Sequence, residues 1–380
     1  MSSGNNAIEK FNSMDVPREL TQCLNELEFY FQKNKKEIRH KFVNSFKVIF
    51  QKIGVQDKIS DIAFINITLL RTDILDNYFL YSVYVYDEDW YFGSELYIGD
   101  FDVSEIYQFY IKLKSLLNSL SKKYIGGVTL ADVEKNWLNL TEYFHLYVVK
   151  LMRYAILEAV ESEEYKTIKK AKQLEILTGE YYEPCNLIYV DGKNRLDDDL
   201  YRWLQEKDEN AYCVQDFRSL NLSNTNYNTY NFLYSNFQNS DLRETDLCEC
   251  NLIGARFNNA YMTGTNFKFS NISECDFTGA SLIGADFSYS LAYTEKSAFS
   301  ELILDNSNYP GQTEVIFRRC NLTNTNFYGA VIIGGDFTNS IVNNANFSNA
   351  VLYRSIFSRD QINQLKLTTE QLKQIKIKNE

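Results

Sequence analysis

From Asp216 to Ser290, and again from Val315 to Ser358, a large apolar side chain recurs at every fifth position. The centres run from Phe217, Leu222 and Tyr227 to Phe287, then resume at Phe317 and end at Phe357. Two residues before nearly every centre stands a small residue, and the residue between them is most often Asn or Asp. A period of five fits neither a helix, at about 3.6 residues per turn, nor a plain strand, at about 2. It fits a chain that runs extended for a few residues, turns a corner and repeats. In such a segment the centre and the small residue two before it point inward, and the Asn or Asp between them points outward. Corner amides and carbonyls are then within reach of Asn, Asp, Ser and Thr side chains.

The pattern changes character before residue 211. Residues 15–53 place Leu20, Leu24, Leu27, Phe31, Ile38, Phe42, Phe46, Ile49 and Ile53 at helical core spacings, with Gly54 as the stop. Over 62–98 the period shortens towards two, and Asp87-Glu88-Asp89 makes a turn into Trp90, which predicts an antiparallel meander. Helices return over 103–121 and from Thr129 to about 165, the latter with a capping-type start at Thr129 and Asp132. Residues 163–173 read as a further helical piece, 175–191 as a hairpin broken at Glu183-Pro184, and 197–206 as a short helix. The expected organisation is therefore an α+β domain over 1–195, a linker or N-terminal cap helix over 196–210, the five-residue repeat over 211–360, and a tail over 361–380.

Triplets such as Ala285-Asp286-Phe287 and Ala345-Asn346-Phe347 resemble the pentapeptide-repeat family over residues 211–360. The resemblance implies a right-handed, four-sided β-helix (a solenoid) with four repeats per coil. The sequence agrees independently, because the centres alternate: positions ending in 7 are almost all Phe, and positions ending in 2 are almost all aliphatic. Phe217, Phe237, Phe257 and Phe277 should form one aromatic column, and Phe317, Phe337 and Phe357 belong to the same class. With coils about 4.8 Å apart, the 24 clear repeats make six coils and a rod of roughly 29 Å. Both ends of such a rod need covers.

Between Phe287 and Phe317 the register fails, and we expect a bulged excursion over 291–314 that rejoins the coil, with Tyr293, Glu295, Lys296 and Tyr309 as candidate partner-binding residues. The competing reading is a merely tolerated insertion. In the tail, Thr368 with Gln371 predicts a capping box opening a helix through Leu372, Ile375 and Ile377. That helix serves either as a cap on the last coil or as a homodimer contact, and the two roles are compatible.

Composition narrows the function. The N-terminus has no signal-peptide pattern and no apolar run reaches membrane length, which points to a cytoplasmic setting without a membrane partner. Seven cysteines give no disulfide framework there; Cys250, Cys275 and Cys320 fall on the small inward position. The net charge is −11, and residues 61–108 hold ten acids against Arg71 alone, so direct nucleic-acid binding is not expected. The acidic turn Asp87, Glu88 and Asp89 with Trp90 and Tyr91 is a second candidate partner surface, set against a solvated turn whose rings pack on the domain. The two histidines, His40 and His145, lie far apart in predicted helices, and there is no phosphate loop, metal-spaced cluster or nucleophile and base pair. We therefore expect no catalysis, metal or cofactor. The expected function is a protein-protein interaction scaffold, with a bacterial resistance or immunity role implied by the resemblance. The alternative that the resemblance implies is a DNA mimic protecting DNA gyrase or another topoisomerase, which calls for a strongly acidic rod; residues 211–360 carry 14 acids and 9 bases.

Overall fold

The computed structural model describes residues 2–181, 186–192, 197–208, 211–293 and 313–378. They form two compact units, one ending at Gly192 and the other holding the described residues from 197 onward.

The first unit is α+β. Helix α1 (Ser2–Lys10) passes through a π-helical turn into the long α2 (Val16–Gly54), whose inward stripe is the predicted one. Strands β1 (Ile62–Leu69), β2 (Leu80–Tyr86) and β3 (Glu95–Asp102) form the expected antiparallel meander, with a short α3 (Arg71–Leu75) between the first two. Helices α4 (Ser104–Ser121) and α5 (Leu130–Ala159) follow, and Thr129 and Asp132 close a reciprocal capping box on α5. The expected helix over 163–173 is corrected: α6 covers only Glu163–Lys166, and β4 already begins at Lys170 and runs to Glu180. Leu174 and Ile176 alternate with Gln173 and Glu175, and parallel pairing with β1 overrides the helix preference of the Lys and Gln residues. Strand β5 (Asn186–Asp191) pairs antiparallel with β4, giving the order β3-β2-β1-β4-β5; Glu183 and Pro184 lie outside the described residues.

The core of this unit carries a polar knot. Tyr81 Oη lies 2.8 Å from Tyr107 Oη and 3.0 Å from His145 Nδ1, and all three side chains are buried. His145 Nε2 has no hydrogen-bond partner among the described residues, so a protonated ring would bury an unpaired N–H. Burial accordingly lowers the His145 pKa to about 4.

The second unit starts with α7 (Asp197–Gln205), whose Leu204 carbonyl accepts the Tyr230 hydroxyl at 2.5 Å and whose Trp203 ring packs on Tyr212. Parallel bridges then join residues twenty apart, from Asp216 to Asn236 and onward, so four five-residue repeats close one coil. Phe217, Phe237, Phe257 and Phe277 stack at 4.9, 5.1 and 5.0 Å, and the column continues through Phe317, Phe337 and Phe357 at 4.9, 4.9 and 4.6 Å. A second column, Phe267, Phe287, Phe327 and Phe347, stacks at 4.5, 5.0 and 4.7 Å from the opposite side. The two columns meet edge to face, as where Phe257 and Phe267 lie 5.9 Å apart at 84°.

Side chains satisfy what the corners leave open. The outward Asp or Asn accepts from the amide two residues on, as in Asp276 with Thr278 at 2.9 Å and Asn346 with Ser348 at 3.0 Å. The small inward residue donates to a carbonyl of the previous coil: Thr245 to Leu222, Thr265 to Leu242 and Cys275 to Leu252, at 2.9, 2.7 and 3.0 Å. Each cysteine in this position is thus a core donor, and burial pushes the Cys250 and Cys320 thiols up to about 12.

At 293 the count changes. Asn271 pairs with Leu291, twenty on, but Asp276 pairs with Ile316, Ser281 with Asn321 and Asp286 with Asn326, each forty on. The spacing from coil to coil thus grows by twenty residues, and β6 (Leu291–Ala292) lies against β7 (Val331–Ile332). The rod rejoins in register, with the Phe277 and Phe317 rings parallel.

Beyond β8 (Ile356–Ser358) come α8 (Arg359–Ile362) and α9 (Thr369–Gln374). The predicted Thr368/Gln371 box is present, and Ser358 with Gln361 forms a second. The helix is shorter than expected: Ile375 is extended, and Ile377 lies in β9 (Lys376–Lys378), which pairs parallel with β8. Isoleucines suit a strand, and the free edge of β8 offers them one. Buried Gln361 donates to the Phe337 and Ser340 carbonyls, both at 2.7 Å, and buried Gln371 to those of Phe347 and Ala350, at 2.7 and 2.9 Å.

Two expectations follow from this packing. Phe257→Asp places a charge in a dry column and should cost on the order of 5 kcal/mol, read as loss of the β-helical circular dichroism and of cooperative melting of the second unit. For His145, the unfolded ring takes up a proton near pH 6.5 and the folded ring only near 4. Its contribution is whole above pH 6.5 and drains away as pH falls towards 4. Relative to His145→Gln, the native protein should lose about 2 kcal/mol more between pH 7 and 5 in urea melts of the first unit.

Candidate functional site

The acidic turn after β2 is held by its own first residue. The Asp87 carboxylate accepts the Ser94 amide at 2.9 Å and the Asp89 amide at 3.2 Å, and these bonds, the Ser94 amide foremost, hold its pKa below the usual carboxylate range. Glu88 and Asp89 are exposed. Trp90 and Tyr91 are half-buried: the Trp90 ring lies 3.9 Å from that of Phe64, and Tyr91 Oη accepts from Asn66 Nδ2 at 3.2 Å. The ring that stands clear of the turn is Phe92, 99% exposed, which the sequence reading passed over.

Of the predicted loop residues, Tyr293 is half-buried and its amide donates to Ser273 Oγ at 3.0 Å. Glu295, Lys296 and Tyr309 lie outside the described residues. At the far end of the excursion, the Thr313 amide donates to Glu274 Oε1 at 3.2 Å. The insertion therefore leaves and re-enters at one corner, over Ser273 and Glu274 of the preceding coil. The structural column Phe217, Phe237, Phe257, Phe277, Phe317, Phe337 and Phe357 is buried throughout.

A third feature lies along one corner of the rod. Each coil corner has a residue with φ near +60°, two positions after the centre, filled mostly by Asn, Gly, Glu or other polar residues. Along one corner it is filled by Phe269 (φ 58°) and Tyr289 (φ 59°). Their rings stack at 5.4 Å and 4°, and Tyr328 follows at 5.6 Å, edge-on. The three are 53%, 46% and 36% exposed. The signal was legible: two aromatics twenty residues apart at a position suited to Asn or Gly.

Little else offers chemistry. Among the described residues no group of His, Cys, Asp and Glu is placed to hold a metal ion, and no helix is long and apolar enough to cross a membrane. His40 is exposed on α2, well separated in sequence from the buried His145.

Comparison with known proteins bears on the repeat alone. Residues 215–287 match the family model described as pentapeptide repeat region, and 313–342 and 336–359 match the model described as pentapeptide repeats (8 copies). No curated protein matches the chain. Similar solved structures include full-length QnrB1, a plasmid-mediated fluoroquinolone resistance protein, at 13% identity over 46% of this chain and 88% of that one, TM-score 0.15. HetL, a pentapeptide repeat protein involved in heterocyst differentiation regulation from the cyanobacterium Nostoc sp. strain PCC 7120, is similar at 13% identity over 43% and 98%, TM-score 0.15. A pentapeptide repeat protein of the Arabidopsis thaliana thylakoid lumen is similar at 17% identity over 44% and 75%, TM-score 0.11.

Because both ends of the insertion bond to one corner, removing residues 294–313 restores the twenty-residue spacing from Asn271 onward. The shortened protein should keep its β-helical circular dichroism and melt within about 5 °C of the full chain. Loss of the cooperative transition would show instead that the insertion is part of the rod.

Proposed function

With residues 215–359 a pentapeptide-repeat region, we propose that this chain is a non-catalytic scaffold that binds another protein through the outer surface of its rod. The observation that carries this reading is the filled interior: the Phe columns run from Phe217 to Phe357 at stacking distance, and inward hydroxyls and thiols such as those of Thr245, Thr265 and Cys275 are spent on carbonyls. Such a tube has no pocket for a small molecule inside it, so recognition falls to corners, faces and the insertion. In this proposal the coil is right-handed, α7 covers its first end, and the tail from α8 to β9 caps its last. The setting is a bacterial cytoplasm, and the role is one of resistance or immunity by sequestering or shielding a protein partner.

Topoisomerase protection by duplex mimicry is the reading it displaces. A mimic needs a long row of unneutralised acids, whereas four of the 14 acids over 211–360, Asp216, Asp241, Asp286 and Asp336, sit 2.6 to 3.2 Å from Arg218, Arg243, Lys268 and Arg318. The expected result of a gyrase supercoiling assay, with and without a quinolone, is no change in supercoiling or cleavage at about 10 μM protein. Protection at that concentration would restore the mimic reading. Capture of host proteins on the full chain should return a specific partner, and return of none would sink the scaffold.

A further inference from the structure

The corner ladder of Phe269, Tyr289 and Tyr328 is uncharged and exposed, and its first two rungs are conformationally costly. At φ near +60° a bulky side chain is disfavoured, and the coils on either side fill the same corner column with Glu249, Gly329 and Asn349. The ladder does not stand alone. Val351, on the face that follows this corner, is 40% exposed, Leu291 and Val331 beside it are half-buried, and Tyr353 beyond them is 48% exposed. Together they make an apolar strip parallel to the rod axis.

We propose that this strip is the docking surface for a single amphipathic helix of a partner protein, carrying basic residues at one end. This rests on the scaffold reading and specifies the partner. Three observations select such an occupant. The Phe269 and Tyr289 rings turn one face each to the other, parallel to within 4° at 5.4 Å, and Tyr328 stands edge-on to Tyr289. That arrangement occupies the facing sides of the two stacked rings, so no sugar or nucleobase can stack between them. The successive ring spacings, 5.4 and 5.6 Å, equal the rise of one helical turn, about 5.4 Å, so apolar residues one turn apart on a helix fit the gaps between rungs. The size and charge also decide. A strip of half a dozen side chains is far below the roughly 20 to 30 residues per side of a stable protein dimer, which argues against a second copy of this chain. A copy would also bring another net charge of −11. In the same corner column, one coil before Phe269, stands exposed Glu249, which selects for a Lys or Arg on the helix end that reaches it.

The test uses the full chain and a synthetic helical peptide of about 18 residues with Leu on one face and Lys at its ends, labelled for fluorescence anisotropy. A Glu-ended peptide with the same Leu face is the charge control. The expected result is saturable binding of the Lys-ended peptide, weakened at least about tenfold by the double variant Phe269→Asn with Tyr289→Asn and by the Glu ends. Asn is at home in the left-handed corner, so the double variant should keep or raise the melting temperature, which separates lost binding from lost folding. Equal binding to native and variant protein, equal binding of both peptides, or no binding up to about 1 mM overturns the proposal. Partner capture by the double variant at native levels overturns it too, while leaving the scaffold reading standing; absence of any captured partner on the native chain removes the scaffold reading itself.

Discussion

The second unit depends on one match of lengths. Parallel strands lie about 4.8 Å apart, and parallel aromatic rings pack at nearly that separation. A Phe repeated every twenty residues therefore stacks on its predecessor without tilting the coil, as Phe237 on Phe217 and Phe257 on Phe237 do at 4.9 and 5.1 Å. The backbone bridges and the ring columns ask for the same pitch, so neither is strained by the other. The corner chemistry is subordinate to this. Asx acceptors and inward Ser, Thr and Cys donors satisfy amides and carbonyls that a tight square coil cannot pair by itself.

That constraint is also why the repeat was so legible from sequence. A side chain facing a narrow dry interior has few alternatives, so Phe217 through Phe357 could be placed in columns by counting alone. The first unit gave less away. Its meander and long helices follow from alternation and helical stripes, but the start of Lys170–Glu180 is polar at Lys170, Lys172 and Gln173 and carries no strand alternation; pairing with distant β1 and with β5 makes it a strand. Sequence separation hides such pairing. The tail failed for a related reason, since the free edge of β8 is created by the end of the rod and claims Lys376–Lys378 as a strand.

Candidate sites were harder to read than the fold because exposure is a property of packing. Trp90 and Tyr91 share one turn with Phe92, and their composition does not say that the first two fold back on Phe64 and Asn66 while the third stands in solvent. Phe269 and Tyr289 could have been found, since their position in the repeat fixes a positive φ that aromatics seldom occupy.

The twenty residues added to the spacing after Leu291 show that the rod counts rungs and is indifferent to residues. Ile316 takes the place on Asp276 that position 296 would have held, and the Phe column passes across the gap as if nothing intervened. An architecture with that tolerance separates invention from folding: a corner can acquire, lengthen or exchange a whole segment by a single splice while the ladder beneath it keeps its pitch. The tube is in this sense a mounting rail, whose fold is set by the ladder and whose contacts are set by what hangs from it.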